Sequence, residues 1–267
     1  MTGEITSPTS GSASGSGVNA PIAQLSTVTL RAEWRAFAEF LKRPVLPEAR
    51  APMRAGGVAV ARLLGLDLIF LFVFLGGLLT LVAVGVELPE NLNATLELNL
   101  STVFLIVIGA PLIEELVFRS WLSGRPRYLI VIPIMLIAGV IAAFLGVSRT
   151  GEAAEIGVGL AILGGLAVSL IAMIAVWKSG PAAWFKTIFP GAFWLSSAAF
   201  ALVHFANYTE GSFFVLLPLV LPQFVLGSIA AYLRVHYGLW TAIAIHALHN
   251  GIAIGLASLA MASEAGA

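Results

Sequence analysis

Seven long apolar runs dominate the sequence, and each is long enough to cross the roughly 30 Å hydrocarbon core of a bilayer as an α-helix. They cover residues 63–86, 103–122, 128–147, 156–177, 189–207, 213–233 and 239–260. Pro190 and Gly191 are expected to break the fifth run, so that its membrane-normal part begins near residue 192. The pattern predicts an all-α, polytopic transmembrane helix bundle of about seven spans.

The chain before the first span divides into two segments. Residues 1–24 are rich in serine, glycine and threonine, which predicts a disordered tail. Residues 25–57 form a cytoplasmic or interfacial segment, and Leu30, Trp34 and Phe37 recur there at helical spacing among basic residues. This pattern predicts an amphipathic helix over residues 25–41 that lies on the membrane surface. The helical bundle follows, over residues 58–262.

Composition and charge agree with a membrane protein. Of the 267 residues, 59% are hydrophobic and only 10% are charged, whereas soluble domains carry roughly 25% charged residues. The zero formal net charge and the lack of a basic block argue against nucleic-acid binding. Cysteine is absent, which excludes disulfides, thiolate catalysis and cysteine metal sites.

The distribution of basic residues predicts the orientation of the chain. Lysine and arginine precede span one and follow spans two, four and six, whereas the alternate loops are mainly acidic. Because basic loops stay on the cytoplasmic side, the amino terminus is predicted to be cytoplasmic. The expected location is a bacterial inner (cell) membrane.

Three ionisable side chains interrupt the second span, namely Glu114, Glu115 and Arg119. Each costs at least about 2.5–3.5 kcal/mol at the centre of a bilayer. Glu115 and Arg119 are four residues apart and share a helix face, so they are expected to pair. Glu114 is rotated by about 100° from its neighbour and has no basic residue within reach on the helix. The pair therefore accounts for one carboxylate and leaves Glu114 available for chemistry.

Histidine and amide side chains interrupt two later spans. His204 follows Phe200 by one turn in the fifth span, and His246 shares a face with Asn250 in the seventh. Glu114, His246 and His204 are predicted to lie roughly 15, 12 and 18 Å from the cytoplasmic end, the last value depending on the expected break near residue 192. These side chains are therefore expected to meet in a cavity that opens toward the cytoplasm.

Three motifs, in this order on separate apolar segments, resemble those of the CPBP intramembrane protease family, which includes the type II CAAX prenyl endopeptidases and bacterial Abi proteins. They are Glu114-Glu115-xxx-Arg119, Phe200-xxx-His204 and His246-xxx-Asn250. The resemblance covers about residues 103–260 and implies that residues 58–262 are an intramembrane protease bundle. The chain departs from the family pattern in the long connection between the first two motifs, which spans three and four fill.

The resemblance implies hydrolysis of a peptide bond in a membrane-anchored protein or peptide. The catalytic residues that it implies are Glu114, His204, His246 and Asn250. The first two would orient and deprotonate a water molecule, and the last two would donate to the oxyanion. Glu115 and Arg119 are expected to support the site without contacting the substrate. The expected partners are this substrate and the lipid bilayer.

The sequence indicates no particular cofactor, and it leaves other functions open. Glu114, His204 and His246 also form the two-histidine, one-carboxylate set of catalytic zinc, so a divalent metal such as zinc is an alternative. A catalytically inactive membrane scaffold or immunity protein is a second alternative. A proton-coupled transporter, in which Glu114, Asp67 and the histidines form a proton relay, is a third, although no inverted repeat or pair of interrupted helices is evident.

Some intramembrane polar residues lie outside the three motifs. His249 is expected to be a packing or hydrogen-bonding residue, and Asn207 an interface residue near the outer end of its span. Asp67 has no predicted role in peptide hydrolysis.

Overall fold

A computed structural model describes residues 29–148 and 150–265. The predicted tail over residues 1–24, and the start of the predicted amphipathic segment, lie outside these residues. The described chain folds into nine helices when short 3₁₀ or π turns are counted with the helix that they continue. They are α1 (Leu30–Lys42), α2 (Met53–Ala83), α3 (Leu100–Ser123), α4 (Pro126–Ser148), α5 (Glu152–Ala175), α6 (Ala183–Asn207), α7 (Phe213–Leu219), α8 (Leu221–His236) and α9 (Leu239–Ala265).

The predicted fold class is confirmed. Six helices are long and apolar enough to cross a membrane, and α7 with α8 forms a seventh candidate span bent by 53°. The bend has a local cause, because Pro222 lacks the N–H that would bond the carbonyl of Pro218 one turn earlier. The predicted spans match the observed helices, with the largest difference at α2, which begins at Met53.

The predicted break at Pro190 is wrong, because α6 is helical from Ala183 to Val203 with Pro190 inside it. Pro190 lies in the third turn of α6 and removes one backbone hydrogen bond there, a loss that helices in a membrane commonly tolerate. The helix instead reaches the site by crossing α3 obliquely. Ala182 is hydrogen-bonded to Gly124, whereas Ser196, fourteen residues later, bonds the carbonyl of Phe118, only six residues before Gly124.

Helix α8 forms the centre of the bundle. Its residues 226–235 are all buried, and it packs against α6, α9, α2 and α3. Small residues in this stretch, among them Gly227 and Ser228, let neighbouring helices approach closely, as is usual between helices in a membrane. Helices α4 and α5 pack mainly against each other as a hairpin. The site is therefore built from the other helices, around α8.

Helix α1 is amphipathic, as predicted, and packs against the bundle through its apolar face. Phe37 and Phe40 are buried, and both rings meet the ring of Tyr232 edge-on, at centroid distances of 5.3 and 5.2 Å. The basic residues Arg31 and Arg35 stay exposed on the opposite face. The amphipathic pattern was therefore read correctly, but its apolar face contacts protein.

A buried carboxylate fixes α1 in this position. Glu33 accepts hydrogen bonds from the hydroxyls of Tyr237 at 3.0 Å and Tyr232 at 3.4 Å, and lies 3.6 Å from Arg62. Burial, followed by the negative charge of Glu33, raises the pKa of Tyr237, which keeps its hydroxyl a donor. These contacts fill the end of the bundle where α1, α2 and α8 meet.

Two adjacent glycines of α2 test how closely the helices pack at this end. A Cβ on Gly56 would lie 2.6 Å from Trp240 and 2.9 Å from the buried Thr241, whereas a Cβ on Gly57 would meet no atom within 4 Å. We expect Gly56→Ala to reduce the free energy of unfolding by about 1–3 kcal/mol through overpacking. Gly57→Ala should be neutral or stabilising by up to about 1 kcal/mol. Thermal unfolding in detergent measures both, and equal effects would contradict the packing described.

Candidate functional site

The acidic pair lies one turn after an irregular segment of α3. Residues Leu105–Gly109 form a π-helical turn, in which each N–H bonds the carbonyl five residues earlier. Pro111 has no N–H, so the carbonyl of Ile106 lacks that helical partner. Asn250 of α9 supplies the missing donor, with its Nδ2 at 2.9 Å from the Ile106 oxygen. The predicted site residue Asn250 is thus anchored to α3 and keeps a second amide hydrogen.

Glu115 and Arg119 form the ion pair that their spacing predicts. Arg119 Nη1 lies 3.1 Å from Glu115 Oε1, and both side chains are completely buried. The guanidinium also lies over the ring of Phe200 on α6, 3.8 Å from its centroid. Arg119 therefore balances the charge of Glu115 and holds α6 against α3.

Glu115 also contacts a histidine of α9. His246 Nδ1 lies 2.9 Å from Glu115 Oε1. Because an ionised carboxylate only accepts hydrogen bonds, Nδ1 carries the proton. The other ring nitrogen, Nε2, faces Glu114, at 3.8 Å from its Oε2. The imidazole of His246 thus lies between the two adjacent acids.

Glu114 differs sharply from its neighbour. Its side chain is 29% exposed, against 0% for Glu115, and it lines a cavity of about 450 Å³. Within residues 29–148 and 150–265, its buried Oε2 has no hydrogen-bond partner. Glu114 is therefore the acid of this pair that water and substrate can reach.

The same cavity is lined by three histidines, and the Nδ1 atom of each is held by an oxygen. His204 Nδ1 lies 2.7 Å from the carbonyl of Phe200, and His249 Nδ1 lies 2.6 Å from Asp67 Oδ2. His246 is held by Glu115, as described. A carbonyl cannot donate, so the Nδ1 of His204 must. In each ring Nε2 is the nitrogen left for chemistry.

The structure thus brings the six predicted site residues together. Glu114, His204, His246 and Asn250 line one cavity, and Glu115 and Arg119 lie directly behind it. Several other lining residues had no predicted site role, namely Asn91, Asn93, Asn207, Gln223 and His249. Asn91 and Asn93 lie in the connection between α2 and α3. The sequence has no hydrophobic periodicity there from which the positions of side chains could be predicted.

The predicted opening toward the basic end of the bundle is wrong. The lining runs from Glu114 to Asn91, Asn93 and Asn207, away from the loops that hold the basic residues. That other end is closed, because Arg234 is buried there and donates to the carbonyls of Arg119 and Ser120 at 2.9 and 2.7 Å.

The open end is polar and joined by backbone contacts. Asn91 and Tyr208 form an isolated antiparallel bridge, and the N–H of Thr209 bonds the carbonyl of Glu90 at 3.3 Å. Burial raises the pKa of Tyr208, so this residue is uncharged. Asparagine side chains thus line the cavity entrance, and the neutral phenol of Tyr208 lies beside Asn91.

The alternative of a zinc site at Glu114, His204 and His246 does not fit this arrangement. Among the described residues, no three His, Asp or Glu side chains are grouped so as to hold a metal ion.

A comparison with known protein families gives one match. The model for the type II CAAX prenyl endopeptidase Rce1-like family matches residues 96–252, more than half of the chain. No curated protein and no solved structure matches the chain. The matched region contains α3 through the first half of α9, and so contains all six predicted site residues.

The different surroundings of the two acids predict different effects on stability. Glu115→Gln removes the charge that compensates Arg119 in a fully buried position, so we expect a loss of about 3–5 kcal/mol in the free energy of unfolding. Glu114→Gln should change it by less than about 1 kcal/mol, because this side chain faces the cavity. Thermal or denaturant unfolding of both variants in the same detergent measures the difference. Similar losses in the two would contradict the assignment.

Proposed function

Since the chain belongs to the type II CAAX prenyl endopeptidase Rce1-like family, whose members are intramembrane CAAX protease-type endopeptidases, we propose that it hydrolyses a peptide bond of a membrane-anchored protein or peptide. One observation carries the proposal. Glu114, an acid without a basic partner on its own helix, lines the same cavity as His204 and His246. The prenyl group in the family's description is not part of the proposal.

The proposed mechanism begins with a water molecule between Glu114 and His204. Glu114 takes a proton from this water, while His204 Nε2, fixed by the bond from Nδ1 to Phe200, orients it. The resulting hydroxide attacks the carbonyl carbon of the scissile bond. Because both side chains are held on helices α3 and α6, little reorganisation is needed as the reaction starts.

Charge that develops on the carbonyl oxygen needs hydrogen-bond donors. The free amide hydrogen of Asn250 is one donor. His246 Nε2 is the second when the ring is an imidazolium, whose charge the carboxylate of Glu115 balances at 2.9 Å. Glu115 and Arg119 thus act behind the reacting atoms, by orienting His246.

The role of Glu114 is tested by comparing protein termini in membranes. We expect Glu114→Gln to reduce turnover by at least about 10²-fold, because the base that activates the water is lost. Mass spectrometry of membrane-protein termini, in cells with the native chain or with this variant, should show a terminus that disappears only in the variant.

The matched control is Glu97→Gln, which makes the same change at an exposed residue between α2 and α3. It should leave the terminus in place. Unchanged termini with folded Glu114→Gln protein would instead favour the inactive scaffold.

The orientation of the chain decides where cleavage takes place. The excess of basic residues in one set of loops supports a cytoplasmic amino terminus. Because the cavity opens at the other end of the bundle, we propose that it is reached from the non-cytoplasmic side. The substrate bond would then lie in or near the outer leaflet.

The absence of cysteine makes this orientation directly testable. Asn93 is exposed at the cavity entrance, and Lys178 is exposed in a basic loop. A membrane-impermeant maleimide should label Asn93→Cys in intact bacterial cells, and should label Lys178→Cys only after permeabilisation. The reverse pattern would place the cavity on the cytoplasmic side.

A further inference from the structure

A second carboxylate–imidazole pair lies on the same cavity and has no part in the mechanism above. His249 Nδ1 lies 2.6 Å from Asp67 Oδ2, which joins α9 to α2. The side chain of Asp67 is 2% exposed, and that of His249 is 11% exposed. An acid buried in a membrane span is costly, so it is expected to serve a purpose.

The geometry of this pair leaves one nitrogen for the cavity. The carboxylate of Asp67 accepts the hydrogen of Nδ1, and His249 is part of the cavity lining. Within the described part of the chain, Nε2 has no hydrogen-bond partner among protein groups. A carboxylate behind an imidazole fixes its tautomer and stabilises the imidazolium form. When the ring is an imidazolium, Nε2 carries the second proton on the cavity side of the pair.

The position of His249 relative to the other groups is also suitable. His249 follows His246 by three residues on α9, so the two side chains are neighbours on the helix surface. Each has its own carboxylate, Glu115 on α3 and Asp67 on α2. Two carboxylate–imidazole pairs thus lie about one helical turn apart on a single wall of the cavity.

Peptide hydrolysis needs a group that the mechanism above does not assign. When the tetrahedral intermediate collapses, the nitrogen of the scissile bond is a poor leaving group unless it receives a proton. Glu114 takes a proton from water, His204 orients that water, and His246 with Asn250 faces the oxyanion. A proton donor for the leaving nitrogen is still required.

We propose that His249, held and charge-balanced by Asp67, is the general acid that protonates the leaving amine; this inference rests on the proposed endopeptidase function. As the C–N bond breaks, its electron pair goes to nitrogen, which takes the proton from His249 Nε2. The proton that Glu114 took from water then returns to His249 through the cavity. One water is consumed, and one carboxylic acid and one amine are released.

The experiment compares two substrates that differ only in the leaving group. A peptide that spans the cleavage site found with Glu114→Gln is made once with an amide and once with an ester at the scissile bond. An ester oxygen leaves with much less need of a proton donor. We expect His249→Gln to slow amide hydrolysis by about 10²–10⁴-fold, and ester hydrolysis by less than about tenfold.

A second variant distinguishes a chemical role of the Asp67–His249 pair from a purely structural one. Asp67→Asn keeps the size of the side chain and an oxygen that accepts from Nδ1, but removes the charge. It should also slow the amide selectively, by a smaller factor than His249→Gln. A residue that only joins α2 to α9 would slow both substrates equally when changed, because it would disturb the whole site.

The outcomes distinguish this inference from the proposed function. Equal losses on amide and ester in both variants, or no loss in either, would overturn the role of His249 while leaving the endopeptidase intact. Full activity of Glu114→Gln on both substrates would overturn the endopeptidase mechanism itself. Thermal unfolding of each variant beside the native chain shows whether a loss reflects misfolding.

Discussion

The buried ion pair between Glu115 and Arg119 is the constraint on which the rest of the structure depends. Two charges withdrawn from water are tolerated only when they compensate each other and are enclosed. Here the enclosure comes from α6 and α8, because Phe200 covers the guanidinium and a Cβ on Gly227 would lie 2.8 Å from Arg119 Nη2. Glu115 in turn holds His246 of α9. A pair formed within one helix therefore fixes four helices around the site.

Helix α3 also explains why the cavity is closed at the basic end of the bundle. The backbone carbonyls at the end of α3 carry the negative end of the helix dipole. The buried guanidinium of Arg234 binds two of them and interacts favourably with the negative end of the helix dipole. Together with α1, this contact fills the basic end of the bundle. Among the described residues, the cavity lining continues toward the connection between α2 and α3, where it includes asparagine side chains.

Local patterns in the sequence were sufficient for the spans and for the pair of Glu115 with Arg119, since both depend on residues close together in one helix. Long-range partners were not predictable in this way. Asp67 and His249 are separated by 182 residues. Nothing in the local sequence around either residue indicates that the two side chains form a hydrogen bond. Pro190 misled for a related reason, because a proline rule based on one helix does not account for how neighbouring helices tolerate it. The cavity opening depended on Arg234, which directly follows the predicted sixth span (213–233) and therefore gave no sign that it would be buried.

Helix α9 shows how stability and chemistry are joined in this fold. In a bilayer, apolar surfaces gain little by leaving lipid for protein, so polar contacts and close packing decide how helices are rotated. Three polar side chains of α9, His246, Asn250 and His249, bind three different segments: the acidic turn of α3, its π turn, and α2. Rotation of α9 about its axis would break all three contacts at once. The contacts that fix the rotation of α9 therefore also fix the directions of the ring nitrogens and of the amide. The same hydrogen bonds thus stabilise the helix bundle and orient the side chains of the site.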